Sequence, residues 1–506
     1  MRLEQLLHEI PLQASHGDLD VTVSALTCDS RQVTSGTLFF ALHGSKIDGH
    51  RFISQAVAAG AAAVVLEDVS YAPAQIPWVQ VANGRQAMAL MAAGFFGNPT
   101  RDLPLIGITG TNGKTTTSYL LEGILSAAGL PAAVLGTISY RFGSTCIEAS
   151  HTTPESTELQ GIFRQLADAG ARAFVMEVSS HSLEQRRVDG SVFDVGVFTN
   201  LTRDHLDYHG TMQAYGSAKQ RLFSELLKPD DRTPLRHAVI NNDDPAAEEF
   251  IRAAVCPVIR YGLAPGSEVT VREMTSSVDG ISALLVTPQG EQRFHSRLLG
   301  GFNLSNILAA AAAGIALKLP LTAIVQGIEQ HTTVPGRLER VENSSGITCL
   351  VDYAHTGDAL ENVLSTLQEL ATARIITVFG CGGDRDNGKR PIMGRVAASY
   401  SDLAIVTSDN PRTEDPHEIL HQIREGILPL GLREYSLDEF TANPDTKGFV
   451  ILENRREAIK LAVRLARPGD ILLLAGKGHE DYQIIGQTKY HFDDREEAAN
   501  AFRERI

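Results

Sequence analysis

Apolar runs of four to six residues, each closed by polar residues or glycine, recur along the 506-residue chain. Between them lie stretches with apolar positions three and four apart, the helical period. The opening "MRLEQLLHEIPLQ" reads as a short amphipathic helix. Strand-like runs "TLFFAL", "AAAVVLE" and "WVQVA" follow, with an alanine-rich helix pattern around "FISQAVAAGA" between the first two. The Gly, Asn and Pro of "FFGNPTRDLP" mark a linker. A second block opens with "LPLIGITGTNGKTTTSYLLEGILSAAG", an apolar strand, a glycine loop and an amphipathic helix, and continues through the strand-like "AFVMEVSS", "VGVFTN" and "HAVINNDD". A further boundary falls at "HTTVPGRLERV". Beyond it, "CLVDYAH", "IITVFGCGGD", "LAIVTSDNP" and "DILLLAGKG" are apolar runs with polar or glycine ends, separated by helical stretches. The expected architecture is α/β in three domains, 1–101, 102–336 and 337–506. In a doubly wound parallel sheet ligands bind outside the carboxyl ends of the strands. Asp352, His355, Asp384, Arg385, Asp409, Arg412, Lys477 and Glu480 would then share one edge.

Composition narrows this picture. The length suggests about three domains, and 43% hydrophobic with 21% charged residues is a globular composition. A net charge of −15 argues against general nucleic-acid binding, which needs a basic footprint, yet leaves room for a small anionic ligand. The five cysteines are scattered without a CxxC pair, which suits a reducing cytoplasm and argues against a zinc site. "NILAAAAAGIALKLPLTAIV" is interrupted by Lys318 and Pro320 and reads as a buried helix rather than a membrane span. There is no internal repeat or low-complexity tract.

The most specific chemistry lies in "GITGTNGKTTT". Glycines let backbone N–H groups converge on phosphate at a helix N-terminus. Gly110, Thr111, Asn112, Gly113, Lys114, Thr115 and Thr116 are the candidate ATP contacts. Lys114 would neutralise β- and γ-phosphate charge and the Thr115 hydroxyl would ligate Mg²⁺. The spacing departs from G-x-x-x-x-G-K-[ST], because residue 108 is isoleucine. A plain glycine-rich turn does not account for Gly-Lys-Thr-Thr between a strand and a helix. Glu177, at the end of "AFVME", is a candidate carboxylate for the same metal.

With "GTNGKTT", "MEVSSH", "TNLTRDHLDYHG", "GFNLSN", "PGRLE" and "VDYAHT" in this order, the chain resembles the Mur ligases, ATP-dependent amide-forming enzymes of peptidoglycan assembly. The resemblance covers all three blocks. It implies a uridine-binding N-terminal domain, a central P-loop ATPase-like domain and a Rossmann-like C-terminal domain that binds the amino acid. The implied reaction adds meso-diaminopimelate to UDP-N-acetylmuramoyl-L-alanyl-D-glutamate through an acyl phosphate, by a cytoplasmic monomer without membrane or nucleic-acid partners. By the same resemblance His205 helps hold a second Mg²⁺, and Lys219 is carried as a carbamate that ligates metal. Alone, the "TRDHLDYH" cluster reads equally as a surface loop, and Lys219 as an exposed helix lysine. Asn303 and Asn306, whose plain reading is N-capping, become nucleotide contacts. Arg337 becomes an inter-domain arm to ATP, and Asp352 and His355 complete the nucleotide site. Gly357 stands where relatives commonly have proline.

For the nucleotide-sugar substrate the resemblance implies Cys28, Ser30, Ser45, Lys46, Ile47, His151, Thr152, Thr153, Ser179, Gln185 and Arg187. Threonine hydroxyls and Arg187 can bind phosphate or carboxylate, whereas Cys28 could serve only through its backbone. His151 stands where asparagine is usual. The amino-acid pocket would hold Arg385, Asp409, Asn410, Pro411, Arg412, Gly476 and Glu480. "DNPR" is the pattern of members that take meso-diaminopimelate, which is lysine with a second carboxylate that a guanidinium can hold bidentately. Locally, "DNPRTEDP" reads as a polar turn in which Pro411 restricts Asn410 and Arg412 faces solvent or pairs with Glu414 or Asp415. A P-loop switch or transport ATPase would have no evident use for "DYAHT", "DNPR" and "GKGHE" on a separate sheet. Folylpolyglutamate synthase should lack the N-terminal domain, another Mur ligase is the nearest rival, and "GCGGD" lacks the full dinucleotide fingerprint.

Overall fold

The computed structural model describes residues 1–44, 47–230, 236–330, 333–442 and 447–505. The chain divides into two compact units, one of residues 1–272, 285–292 and 305–330, the other of 273–284, 293–304 and 331–506.

The first unit holds two sheets. Its N-terminal sheet has strand order Leu12–His16, Trp78–Val81, Ala63–Leu66, Thr37–Phe40, Ala25–Thr27, parallel except for the first strand. The opening helix is shorter than its apolar pattern suggests, only Leu3–Leu6. Pro11 disfavours helical backbone at Ile10, yet Leu3, Leu6, Leu7 and Ile10 all still enter the core.

The larger sheet of this unit runs Val258–Tyr261, His237–Asn241, Val195–Phe198, Leu105–Thr109, Ala173–Glu177, Ala132–Leu135, Ser139–Phe142, Thr145–Glu148, with the first six strands parallel. Leu105–Thr109 and Ala173–Glu177 are buried at every position, which is why they read as unbroken apolar runs. After Ala173–Glu177 the chain crosses to the other side of Leu105–Thr109 to form Val195–Phe198, so the loop after Thr109 lies where the strand order reverses.

Residues 270–296 form a three-stranded sheet. The alanine-rich segment is two helices, Gly301–Ala316 and Leu321–Gln330, instead of the one expected. Lys318 takes a left-handed backbone (φ +58°) and Pro320 follows, which together end the first helix. Because that helix starts at Gly301, Asn303 and Asn306 lie inside its first turns and do not cap it.

The second unit carries the order Glu339–Val341, Thr348–Asp352, Ile471–Ala475, Ile375–Phe379, Leu403–Val406, Gly448–Ile451, Arg433–Glu434, parallel apart from the first strand. The four apolar runs of the sequence are four adjacent central strands, and their polar ends share one sheet edge. A separate hairpin, Tyr482–Ile485 with Thr488–His491, follows the last central strand.

One ion pair in this unit is fully buried: Arg455 donates to Asp494 at 2.8 and 2.5 Å, and to the Ala475 carbonyl at 3.0 Å. Removing one partner of a buried pair costs roughly 3–5 kcal/mol, because the other charge stays desolvated. Asp494→Ala should therefore lower the denaturant midpoint of this unit markedly in a urea titration. An unchanged midpoint would show that Arg455 finds other compensation.

Candidate active site

In the first unit, Gly110 (φ +147°) and Gly113 (φ +86°) shape the loop after Leu105–Thr109. A Cβ on Gly110 would lie 1.9 Å from Thr199 Oγ1, and one on Gly113 would lie 2.3 Å from Asn306 Oδ1, so neither position accepts a side chain. Gly113 caps the helix Lys114–Ala127. Thr111 N and Asn112 N donate to Asn200, at 2.9 and 2.8 Å, and Thr199 Oγ1 donates to the Asn112 carbonyl at 2.6 Å. Residues 199–202 thus clamp the loop, a role the sequence reading missed. The N–H groups from Gly113 onward form the first turn, which has no intrahelical acceptors and suits an anion.

Two lysines converge here. Lys114 Nζ donates to the carbonyls of Gly110 (2.9 Å) and Thr111 (2.8 Å), and Lys219 Nζ donates to that same Gly110 carbonyl at 2.8 Å. Lys219, expected from the residues alone to be exposed, is 1% exposed and sits 4.4 Å from the centre of the Tyr215 ring. Burial, reinforced by the Lys114 charge, pushes its amine well below the usual lysine range.

Glu177 is buried beside this loop, in register with Ile108. Its carboxylate accepts from Thr137 N (3.2 Å) and Thr137 Oγ1 (2.9 Å), both neutral donors. A desolvated carboxylate held by neutral donors, in a strand adjacent to the one that leads into the loop, offers hard oxygen that fits a divalent cation. His205 has a left-handed backbone (φ +53°) and packs edge-on against His181, 4.9 Å between ring centres, and 6.1 Å from Tyr215. Burial and the neighbouring His205 and His209 hold His181 down at about 4. His181, His209 and Tyr215 were not singled out beforehand, although the first two lie within the quoted motifs.

The residues expected to meet the nucleotide-sugar divide. Thr152 Oγ1 lies 3.1 Å from Thr137 Oγ1, and Thr153 Oγ1 donates to the Glu177 carbonyl (2.8 Å) while accepting from Ser179 N (3.2 Å). Arg187 donates to the Thr153 carbonyl (2.9 Å) and Gln185 Oε1 (2.7 Å), so with Thr137 and Glu177 as links Thr152, Thr153, Ser179, Gln185 and Arg187 form one network. Arg187 also pairs with Glu155 at 3.0 Å, and Glu155 lies 3.6 Å from Arg85. His151 is exposed and contributes its carbonyl to Tyr140 OH. On the N-terminal sheet, Cys28 is half-buried, Ser30 bonds Gln55, and Ile47 is exposed. Ser45 and Lys46 lie outside the described residues.

Among the described residues, His43, His50 and Glu67 also bring possible ligand atoms within 4.8 Å of one another. His50 Nδ1 is engaged by Asp48 (2.7 Å), and Nε2 accepts from Glu67 N (3.0 Å), so neither nitrogen is open to a metal.

In the second unit, Asn303 Nδ2 donates to the Leu299 carbonyl at 2.9 Å. Asp352 is buried, and accepts from Leu338 N and Ala354 N, both at 2.8 Å. Burial raises its carboxyl. The Arg337 guanidinium lies 5.2 Å from the Tyr353 ring centre. His355 Nδ1 meets the Tyr353 carbonyl at 2.9 Å.

The "DNPR" loop departs from the solvent-facing turn. Arg412 has φ +52° and its Nη1 donates to the Gly383 carbonyl at 2.7 Å. Glu414 pairs with Arg390 instead (2.9 Å), and Asp415 caps the helix Pro416–Ile427. A Cβ on Gly383 would lie 1.9 Å from the Pro411 carbonyl, so glycine lets the two loops meet. The hairpin fixes the unusual backbone: Arg412 N donates to the Ile484 carbonyl (3.1 Å), and Gly486 N to that of Arg412 (2.8 Å). Asp409 and Asn410 are buried, and Asn410 Nδ2 donates to Glu480 Oε2 at 3.0 Å. A Cβ on Gly476 would lie 3.6 Å from Asp409 Oδ2. Among the described residues Arg385 is exposed and bonds only the adjacent Asp384 carbonyl, so it is not gathered with the others.

Three family models match: "Mur ligase family, catalytic domain" over residues 22–96, "Mur ligase middle domain" over 108–314, and "Mur ligase, glutamate ligase domain" over 336–478. The chain is 62% identical over 504 residues to a UDP-N-acetylmuramoyl-L-alanyl-D-glutamate--2,6-diaminopimelate ligase of Geobacter metallireducens, covering 100% of this chain and 99% of that protein. A protein of the same name from Geobacter sulfurreducens is 60% identical over 503 residues, covering 99% of each. A solved structure of a ligase of that name is similar with a TM-score of 0.72 and 34% identity, over 100% of this chain and 99% of the other.

Proposed function

Because the chain belongs to the Mur ligase family, we propose that it joins meso-diaminopimelate to the D-glutamate of UDP-N-acetylmuramoyl-L-alanyl-D-glutamate at the expense of ATP. The observation that carries this reading is Arg412, held on a left-handed backbone beside the buried Asp409 and Asn410 and the half-buried Glu480. A guanidinium next to paired carboxylates complements the carboxylate and ammonium at the distal end of diaminopimelate.

The working unit is three domains, 1–101, 102–336 and 337–506. The glutamate carboxylate attacks the γ-phosphorus and ADP leaves. The amine then attacks the acyl phosphate, inorganic phosphate departs and the nitrogen loses a proton. Such transfer depends on positioning and positive charge. The first turn from Gly113 and the Lys114 ammonium take up phosphate charge. Thr152, Thr153, Ser179, Gln185 and Arg187 orient the nucleotide-sugar, and Arg337, Asp352, His355, Asn303 and Asn306 serve the nucleotide. Thr115 and Glu177 would hold one Mg²⁺, and His205 with carbamylated Lys219 a second, supplying neutralisation of phosphate charge. Among the described residues no helix is long and apolar enough to cross a membrane. The free cysteines suit a reducing compartment, and we place the enzyme in the cytoplasm as a monomer.

Arg412→Ala tests the reading. Truncating one partner of a buried hydrogen-bonded charge pair costs roughly 2–5 kcal/mol, so the KM for diaminopimelate should rise at least ~tenfold. The KM for ATP stays nearly unchanged. Preference over lysine shrinks because the better substrate worsens. Steady-state kinetics with both amino acids decide it, and a variant that keeps its full preference makes Arg412 only a turn residue.

A further inference from the structure

Lys477 follows the strand Ile471–Ala475, yet its side chain is 0% exposed and lies among the pocket residues. Its Nζ is 2.6 Å from the Tyr482 carbonyl, 3.2 Å from Asn410 Oδ1, 3.1 Å from Asp409 Oδ1 and 3.7 Å from Glu480 Oε2. An ammonium has three donors; two are hydrogen-bonded, to the Tyr482 carbonyl and Asn410 Oδ1, and Asp409 Oδ1 faces the same charge as an ion pair. The buried ammonium is thus engaged by protein groups of the pocket itself.

We propose that Lys477 is a positioning residue of the amino-acid pocket, whose ammonium fixes the Asn410 amide and holds Asp409 and Glu480 together as carboxylates. Asn410 Oδ1 accepts from both Lys477 Nζ and Ile484 N (2.9 Å). Turning the amide over would set an NH₂ group against two donors, so Nδ2 is committed to Glu480 Oε2. Lys477 Nζ on the Tyr482 carbonyl ties the 476–480 loop to the hairpin that holds Arg412, and Gln483 Nε2 ties that hairpin to the Asp409 carbonyl at 2.6 Å. Lys477 thereby links both sides of the pocket.

Charge makes the arrangement useful. Asp409 and Glu480 carry two negative charges against one on Lys477, while Arg455 is matched by Asp494. One negative charge remains for a substrate ammonium, with Arg412 for a carboxylate. Burial pushes the Asp409 carboxyl up, but Lys477 and Arg455 outweigh it and the group lies below its usual range. Glu480 is raised, by burial and then by Asp409. The charged and titratable groups facing Glu480 are Asp409, Lys477, Arg412, Arg455, Tyr353 and Tyr482. Without Lys477 the two carboxylates would face each other with less compensation, and Glu480 would take a proton at higher pH.

The inference rests on the function proposed above, and the test separates the two. Wild-type enzyme is first assayed with diaminopimelate; no turnover there fails the functional reading, whatever Lys477 does. In Lys477→Met, the KM for diaminopimelate should rise at least ~tenfold, as for truncation of a buried charge pair, with the KM for ATP unchanged. The acid limb of kcat/KM for diaminopimelate should move to higher pH, which a merely structural role would not produce. A folded variant with the wild-type KM and pH profile overturns the proposal. If the variant does not fold, a structure of the wild-type enzyme with diaminopimelate decides. Lys477 Nζ must keep Asp409, Asn410 and the Tyr482 carbonyl and touch no substrate atom; a substrate contact on Nζ, or a reversed Asn410 amide, overturns it.

Discussion

Lys114→Ala should remove all but a trace of ligation while the fold survives. The Lys114 ammonium bonds two carbonyls of the phosphate loop, so it is held at the mouth of the helix Lys114–Ala127. Charge developing on a transferring phosphoryl group has to be met by donors already in place. Losing a single such donor elsewhere costs about 10²–10³ in kcat, and here a full positive charge goes with it, so a loss of at least ~10³ is expected. The helix is little affected, since alanine is a good helix former and Gly113 still caps it. Phosphate release at saturating ATP and Mg²⁺, with circular dichroism to check folding, is the measurement. Near-normal turnover by a folded variant would remove this loop from the account.

Lys219→Ala should be as inactive, for a different reason. Two ammonium groups on the Gly110 carbonyl repel one another, and one of them is almost wholly desolvated. Burial and the Lys114 charge favour the neutral amine, which is the form that attacks carbon dioxide. The nitrogen–carbon bond forms, a proton leaves, and a carbamate anion then faces the Lys114 cation. The unfavourable pair becomes a favourable one, with oxygens that can ligate Mg²⁺. Bicarbonate should not rescue the alanine variant, whereas acetate, a short carboxylate, should restore part of the activity. With ¹³C-labelled bicarbonate, the wild-type enzyme should show a carbamate carbon resonance that the variant lacks. A wild-type enzyme without that signal, or a fully active variant, contradicts the assignment.

Much of this was legible in the chain because parallel strands buried on both faces are apolar throughout and end abruptly. The runs ending at Asp352, Phe379, Val406 and Ala475 are the four central strands of the C-terminal sheet, so their ends share one edge as expected, although the exposed Arg385 is not gathered with the rest. The glycine turn between Leu105–Thr109 and the helix Lys114–Ala127 was legible for a local reason, since its glycine spacing and the amphipathic run after it suffice. Contacts made by distant segments were not. Nothing near Arg412 announces a left-handed backbone; the hairpin imposes it through Ile484 and Gly486. Lys219 looks like a surface lysine until the helix Met212–Arg221 packs it against Gly110. Asn303 and Asn306 look like caps because the helix was expected to begin after them, but it begins at Gly301.

The central claim is that the enzyme activates a nucleotide-linked dipeptide and delivers diaminopimelate to it. The most direct test is phosphate release from ATP by the wild-type enzyme with UDP-N-acetylmuramoyl-L-alanyl-D-glutamate, comparing kcat/KM for meso-diaminopimelate and for lysine. The account predicts release that requires both the nucleotide-sugar and an amino acid, with diaminopimelate preferred by at least ~tenfold, as expected for a buried carboxylate–guanidinium pair that lysine cannot complete. Equal use of the two amino acids, or a preference for lysine, would contradict it.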